Sequence, residues 1–446
     1  MRKNIFLILA ITVSVFAFSA DASAQQRFVA SVTGPQEVPD RGSTGTGLCQ
    51  ILLNAAETSF TVNCTYRGLT SSANAGHIHI NGPVGVNSPV RFNFGTITGT
   101  SGTIGPLMFN VTPAEVADLR AKGWYVNIRT INFPGGEIRG QVKIVSTPAD
   151  LDGDGRTNIR VFRPGATTFY TLNNLNSSMS TNVFTNSFAG GGAINSASDD
   201  YDGDGRGDLV LIRAVGDGLY WRILQTATNT VREVQFGSSS STVGDQPLPA
   251  DYDGDGKTDI AVFRRSTGFW YILQSSNNQL QAEGFGQTGD IGMVGDFDKD
   301  GKSDLTIIRG TPNGLGWFTR RSSDRATQVV FFGGAAAPGA DFIFPAAQVD
   351  IDGDGIQDRM VVRDPNNTNP QTGDPRTIFI LRSSNNTMFT LQWGIDTDTM
   401  LFGDYDGDGK TDIVARRAVS GQLIWFIYQS LNGQARIVPF GAPGDQ

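Results

Sequence analysis

An acidic nonapeptide that returns six times constrains this chain more than any other feature. Asp150-Leu151-Asp152-Gly153-Asp154-Gly155 recurs with first aspartates at positions 200, 251, 296, 350 and 404, so the period is about 50 residues. Such a period marks a propeller or a solenoid, in which each repeat is one supersecondary unit that buries its apolar face on its neighbours. The interior of the repeat separates the two. After each acidic loop comes an apolar run, as in Ile260-Ala261-Val262-Phe263, then an aromatic run, as in Phe269-Trp270-Tyr271-Ile272-Leu273, then a third run closing on Phe-Gly or Trp-Gly at 236-237, 285-286, 332-333, 393-394 and 440-441. With the short segment leading into each loop this makes four strands, the content of a propeller blade. No stretch of the region has helical periodicity. Six repeats over residues 146–446 predict a six-bladed β-propeller, and the whole chain reads as all-β.

The loop spacing D-x-D-x-D-G-x-x-D sets carboxylates at positions 1, 3, 5 and 9, a glycine at 6 for the sharp turn, and a backbone carbonyl at 7. Hard oxygen donors wrapped around a turn suit Ca²⁺, which takes six to eight of them in flexible geometry. The expected ligands are Asp150, Asp152, Asp154 and Asn158; Asp200, Asp202, Asp204 and Asp208; Asp251, Asp253, Asp255 and Asp259; Asp296, Asp298, Asp300 and Asp304; Asp350, Asp352, Asp354 and Asp358; and Asp404, Asp406, Asp408 and Asp412. The carbonyls of Arg156, Arg206, Lys257, Lys302, Ile356 and Lys410 complete the sets. Position 12, where an EF-hand needs Glu, holds Val161, Leu211, Val262, Ile307, Val361 and Ala415, so the motif is not an EF-hand. The six loops hold 23 of the 43 acidic residues. Two carboxylates ~4 Å apart repel by about 1 kcal/mol even at the dielectric of water, so about six structural Ca²⁺ ions are expected. The alternative is a set of solvated acidic turns without metal, and the first loop, with Asn158 at position 9, is the weakest site.

These repeats resemble the FG-GAP/VCBS type, the family of integrin α-subunit propellers and several secreted lectins. The resemblance implies that each acidic loop joins the first two strands of its blade and that calcium there is structural.

Residues 25–145 follow different rules. Apolar and polar residues alternate between Gly-rich turns, which predicts an antiparallel β-sandwich. Thr112-Pro113-Ala114-Glu115 supplies an N-cap, a proline at the first helical position and a capping-box Glu, and Gly123 is placed to end the helix after Lys122. Runs 48–53 and 59–64 read as a hairpin around Ala55–Thr58, a register that sets Cys49 opposite Cys64. They are the only cysteines, and in an oxidising compartment they form a cross-strand disulfide; two buried free thiols are the other possibility. Phe28-Val29-Ala30 with Glu37-Val38-Pro39, then Ala75-Gly76-His77-Ile78-His79, Tyr125-Val126-Asn127-Ile128-Arg129-Thr130 and Gly136-Glu137-Ile138-Arg139-Gly140-Gln141 resemble the CHRD domain, the module named after chordin. That resemblance implies a secreted β-sandwich without catalytic residues. His77 and His79 alternate on a strand and so share a face, where they are either structural or a two-histidine metal site. Arg129 stands where many members of the family carry His. With two histidines in the chain, no centre needing three imidazoles is possible.

Residues 1–24 read as a signal peptide. Arg2 and Lys3 precede an apolar run from Ile5 to Phe18, and Ala22-Ser23-Ala24 is a small-x-small cleavage signal, so cleavage is expected near Ala24-Gln25; an uncleaved anchor is the alternative. No later stretch reaches the ~20 apolar residues of a membrane span. The net charge of −8 offers no basic surface for nucleic acid. The expected product is a secreted or periplasmic, non-enzymatic, calcium-stabilised recognition or adhesion protein whose propeller binds an extracellular glycan or protein. A polysaccharide-active enzyme or a lectin on the same scaffold is the alternative. For a lectin, Trp221, Trp270, Trp317, Trp393 and Trp425 would offer faces to sugars unless they pack the blades.

Overall fold

The cross-strand cysteine pairing anchors the N-terminal sheet of the computed structural model, which describes residues 26–54, 56–144, 147–173, 177–183, 199–226, 228–334, 341–364 and 373–446. The expected signal peptide and Ala55 lie outside the described residues. Strands β1 (Gln26–Thr33), β2 (Thr46–Leu53), β3 (Ser59–Arg67), β4 (Ala73–His79), β5 (Val90–Asn93) and β6 (Gly102–Asn110) precede helix α1 (Pro113–Arg120). Strands β7 (Tyr125–Thr130), β8 (Ile138–Gln141) and β9 (Lys143–Ile144) follow it. Cys49 pairs with Cys64 in the β2–β3 register and the two are disulfide-bonded.

The sandwich expectation is met in one respect and refined in another. The strands are antiparallel and alternate in burial, but they form one continuous sheet in the order β5-β4-β7-β8-β1-β2-β3-β6, with β9 beside β1. The sheet curls almost into a barrel around a single core that includes Phe28, Ile51, Phe60, Ile78, Trp124 and Ile128. Curling lets one sheet bury its own apolar face without a second layer.

Helix α1 begins as its sequence requires: Thr112 accepts from the Glu115 N–H, and the Glu115 carboxylate accepts from the Thr112 N–H at 2.8 Å. It ends earlier than expected. Lys122 takes the left-handed conformation (φ 59°), its N–H donates to Leu119 O, and Gly123 N–H donates to Asp118 O. That pair of bonds is a Schellman closure with lysine in the position glycine usually fills.

The repeats build six blades. Four are four-stranded sheets, such as Asp245–Pro247, Ile260–Arg264, Phe269–Leu273 and Leu280–Gly284, and the acidic loop connects the first two strands of each. Blades 1 and 2 show three strands each among the described residues. In blade 1 the place beside Ile159–Arg163 is taken by the chain's last residues: Gln446 and Phe162 exchange both backbone hydrogen bonds, and Arg163 grips Asp445 through two bonds of 2.8 Å. Arg264–Asp245, Arg309–Asp290, Arg363–Asp341 and Arg417–Asp398 repeat that ion pair within blades 3 to 6.

The Phe-Gly dipeptide has a structural cause. Trp221, Trp270, Trp317 and Trp425 are buried, and their indole N–H groups donate to the carbonyls of Phe236, Phe285, Phe332 and Phe440. The following glycine has positive φ, and at Gly441 a Cβ would meet Leu423 and Val161 side-chain atoms at 3.0 Å, so only glycine lets the strand turn against the next blade. These tryptophans therefore pack the blades and present no face to a sugar.

Candidate metal centres

Each acidic loop is organised by its own backbone before any ion is considered. The first aspartate accepts N–H bonds from positions 4 and 6: Gly254 and Gly256 onto Asp251 at 2.5 and 2.8 Å, Gly407 and Gly409 onto Asp404 at 2.6 and 2.8 Å. The position 5 carboxylate accepts from the N–H of position 7, and position 9 accepts from the N–H of position 2, as in Lys257 to Asp255 and Tyr252 to Asp259. These bonds fold the remaining oxygens inward. Ligand oxygens lie within 4.8 Å of one another in Asp150/Asp152/Asp154, Asp200/Asp202/Asp208, Asp251/Asp253/Asp255, Asp296/Asp298/Asp300 and Asp350/Asp352/Asp358.

Burial raises the carboxyls at the ends of the loops, and the neighbouring aspartates add to it. Asp404 is pushed up to about 8, Asp208, Asp251, Asp304 and Asp412 to about 7, and Asp200, Asp259, Asp350 and Asp358 to about 6. A half-buried cluster of hard oxygens that is uncomfortable when ionised is the donor set a hard cation fits, and the clusters can hold metal ions.

The sequence reading missed the serines that back the loops. Ser275 and Ser276 hydroxyls donate to Asp255 and Asp253, Ser322 and Ser323 to Asp300 and Asp298, Ser383 and Ser384 to Asp354 and Asp352, and Ser430 to Asp408. The signal was present as Gln-Ser-Ser-Asn-Asn, Arg-Ser-Ser-Asp-Arg and Arg-Ser-Ser-Asn-Asn at 274, 321 and 382.

The loops also bind one another. The N–H of position 8 in each loop donates to the carbonyl of position 1 in the loop before: Gly207 to Asp150, Thr258 to Asp200, Ser303 to Asp251, Gln357 to Asp296, Thr411 to Asp350 and, closing the circle, Thr157 to Asp404, all at 2.5 to 2.8 Å. Position 7 adds a second tie, through its side chain. Arg206 lies over Gly153, Lys257 over Gly203, Lys302 over Gly254, Lys410 over Gly353 and Arg156 over Gly407. Between the fourth and fifth loops position 7 is Ile356, and the cation comes from the other side: Lys299, which replaces glycine at position 4, donates to Asp354 O. The exchange keeps one cation at every junction.

Residues 28–142 match the CHRD domain, and residues 200–262 and 251–307 match the FG-GAP-like repeat. The chain carries a CHRD domain followed by FG-GAP-like repeats. No curated protein matches it in sequence. Among solved structures it is similar to TolB from Acinetobacter baumannii, at 11% identity over 87% of this chain and 78% of that one with a TM-score of 0.43. A protein from Lactobacillus plantarum is similar at 10% identity over 83% of this chain and 96% of that one, with a TM-score of 0.30.

The sequence blocks of the CHRD domain converge on one buried polar face. His77 and His79 on β4 lie opposite Asn127 and Tyr125 on β7, which lie opposite Arg139 and Gln141 on β8. His79 stacks on Tyr125 at 4.4 Å and its Nδ1 contacts Ser88 O at 2.6 Å, while the Arg139 guanidinium sits 3.5 Å from the Tyr125 ring centre. Glu37 reaches the same face and accepts from Asn127 Nδ2 at 2.5 Å. Burial, with Arg129 and His79 beside it, lowers His77 to about 4 and so keeps it neutral. The two imidazoles share a face, as the alternation requires, but Arg129 and Arg139 surround them, a field that opposes a bound cation.

This domain rests on the acidic loops. Arg27 Nη1 donates to Gly409 O at 2.8 Å, Lys143 lies against Gly256 in the field of Asp251 and Asp255, Lys122 reaches Gly203, and Gln50 reaches Gly355. Nothing in the repeat pattern announced this seat.

Proposed function

We propose that the chain is an exported, calcium-stabilised recognition protein whose propeller binds an extracellular glycan or protein. The observation that carries this reading is the ring of six acidic loops, each cross-bonded to the next and the last to the first. Calcium in those loops would neutralise the clustered carboxylates, and Asp, Asn158 and the position 7 carbonyls would hold it. Rigid loops then hold six blades in one arrangement, which suits recognition, where preorganisation lowers the cost of binding. The reading is non-enzymatic: the loop carboxylates, which an acid–base mechanism would draw on, are engaged in organising their own turns. The disulfide and the expected signal peptide support a location outside the cytoplasm. Among the described residues no helix is long and apolar enough to cross a membrane.

The test is a screen of calcium-loaded full-length protein on a glycan array and a panel of matrix proteins, run with and without EDTA. Saturable binding that is lost on chelation is expected. A folded, calcium-loaded protein that binds nothing on either panel would sink the recognition reading.

A further inference from the structure

Six copies of one blade give every position five internal controls. On the strand that follows each acidic loop, positions 11 and 13 counted from the first aspartate point to the same side. Blades 2 to 5 fill them with Val210 and Ile212, Ala261 and Phe263, Thr306 and Ile308, and Met360 and Val362, all uncharged and buried. Blade 1 instead has Arg160 at position 11, and blade 6 has Arg416 at position 13. These blades are neighbours where the ring closes, and both arginines line one cavity of about 670 Å³.

Its charges are unequally paired. Asp445 is held by Arg163 through two bonds of 2.8 Å. Asp199 stands in the field of Arg160. Arg416 has no hydrogen bond or ion pair among the described residues; its guanidinium lies 5.4 Å from the Trp425 ring centre, and only the fields of Tyr405 and Asp445 reach it. Phe162, Phe344 and Phe402 supply apolar wall. An apolar side chain fits position 13 in every other copy, so a desolvated guanidinium here costs stability that the fold does not require.

We propose that this cavity binds a small organic anion, a carboxylate carried on a six-membered ring, with the Arg416 fork on the carboxylate, Arg160 as second cation and the ring against the aromatic wall. The volume suits a ligand of that size, and a planar guanidinium matches a carboxylate bidentately. The inference rests on the recognition reading and assigns it a ligand class.

The experiment uses calcium-loaded full-length protein. Galacturonate and phenylacetate are titrated by calorimetry, with galactose and benzyl alcohol as neutral counterparts, against the parent, Arg416→Ile, Arg416→Lys and Arg160→Val. At least one carboxylate should bind saturably while its neutral counterpart does not, and which one binds separates a sugar acid from an aromatic acid. Arg416→Ile should weaken binding by about tenfold or more, the effect of losing a charge-assisted contact. Arg416→Lys should keep part of it, and Arg160→Val should weaken it less. Because isoleucine is what blades 2 and 4 carry at this position, Arg416→Ile should melt at or above the parent temperature. The proposal is overturned if neither carboxylate binds, if Arg416→Ile binds as the parent does, or if that variant melts lower or fails to fold, which would make Arg416 structural. An array ligand bound equally by parent and Arg416→Ile would remove the cavity and leave the recognition reading standing. Carboxylate binding with empty arrays would do the reverse.

Discussion

The two halves of this molecule solve the same problem in opposite ways. The CHRD domain gathers its apolar side chains into one core inside one curled sheet, with a disulfide across two of its strands. The propeller divides its apolar side chains among six smaller clusters, most of them spanning adjacent blades, and joins the blades through polar loops. A single core is lost as a unit. A ring of nearest-neighbour interfaces depends on its closure and on whatever steadies its joints. The two designs should therefore fail under different insults.

Opening the ring should have the largest effect. Deleting residues 404–446 removes the partner of Thr157, the Asp445 that holds Arg163 and the backbone paired with Phe162. The remaining five repeats should lose cooperative folding altogether while the CHRD domain stays folded. A soluble five-repeat fragment that melts like the parent in calorimetry would mean that the blades behave as an open array.

Chelation comes next. Sites present only in the folded state stabilise it by about 2.7 kcal/mol each when free Ca²⁺ is 100 times Kd. EDTA should lower the melting temperature of fragment 146–446 sharply and leave fragment 25–145 where it was. An unchanged melt for 146–446 would remove calcium from the account. In the full chain, Arg27 and Lys143 sit on the loops, so chelation should also raise hydrogen exchange in β1 and β9, a response the isolated CHRD fragment should lack.

Reduction is the reciprocal test. Cys49–Cys64 closes a loop of 15 residues, worth roughly 3 kcal/mol in the chain-entropy model. Dithiothreitol should lower the melt of the CHRD fragment and spare the propeller. Equal thiol titres before and after reduction would show that the bond does not form in the protein as produced.

The smallest effect is in pH. Burial raises Glu37 to about 7, so the stability it contributes is full below about 4.5 and is lost as pH rises through 7. His77 runs the other way: depressed to about 4, it favours the fold above 6.5 and that gain is lost as pH falls through 4. Between 4.5 and 6.5 the two slopes oppose each other. Glu37→Gln should remove the loss of stability on the alkaline side, giving a CHRD fragment that gains on the order of 1 kcal/mol over the parent at pH 8 and little at pH 4. Parallel pH profiles for parent and variant would show that Glu37 does not titrate in this range.

Much of this was legible because it is local. Cys49 faces Cys64 because hairpin length fixes register, Thr112 and Glu115 cap a helix within four residues, and the acidic loop joins the first two strands as the resemblance of the repeats implied. The sequence left open whether the blade tryptophans face sugars or pack the blades, and the indole bonds to the Phe-Gly carbonyls decided it.

The repeat unit, its strand content, the clustered carboxylates and the separate character of the first 145 residues are all written in the amino-acid order, since each depends on spacing within about 50 residues. How the units meet is a matter of the folded chain. Thr157 reaches Asp404 across 247 residues, Arg163 reaches Asp445 across 282, and Arg27 reaches Gly409 across 382. Arg160 and Arg416 enter one cavity only because the ring closes there. Such contacts are set by the angle each blade imposes on the next and by where the first and last blades meet, and no periodicity along the chain encodes a distance across it.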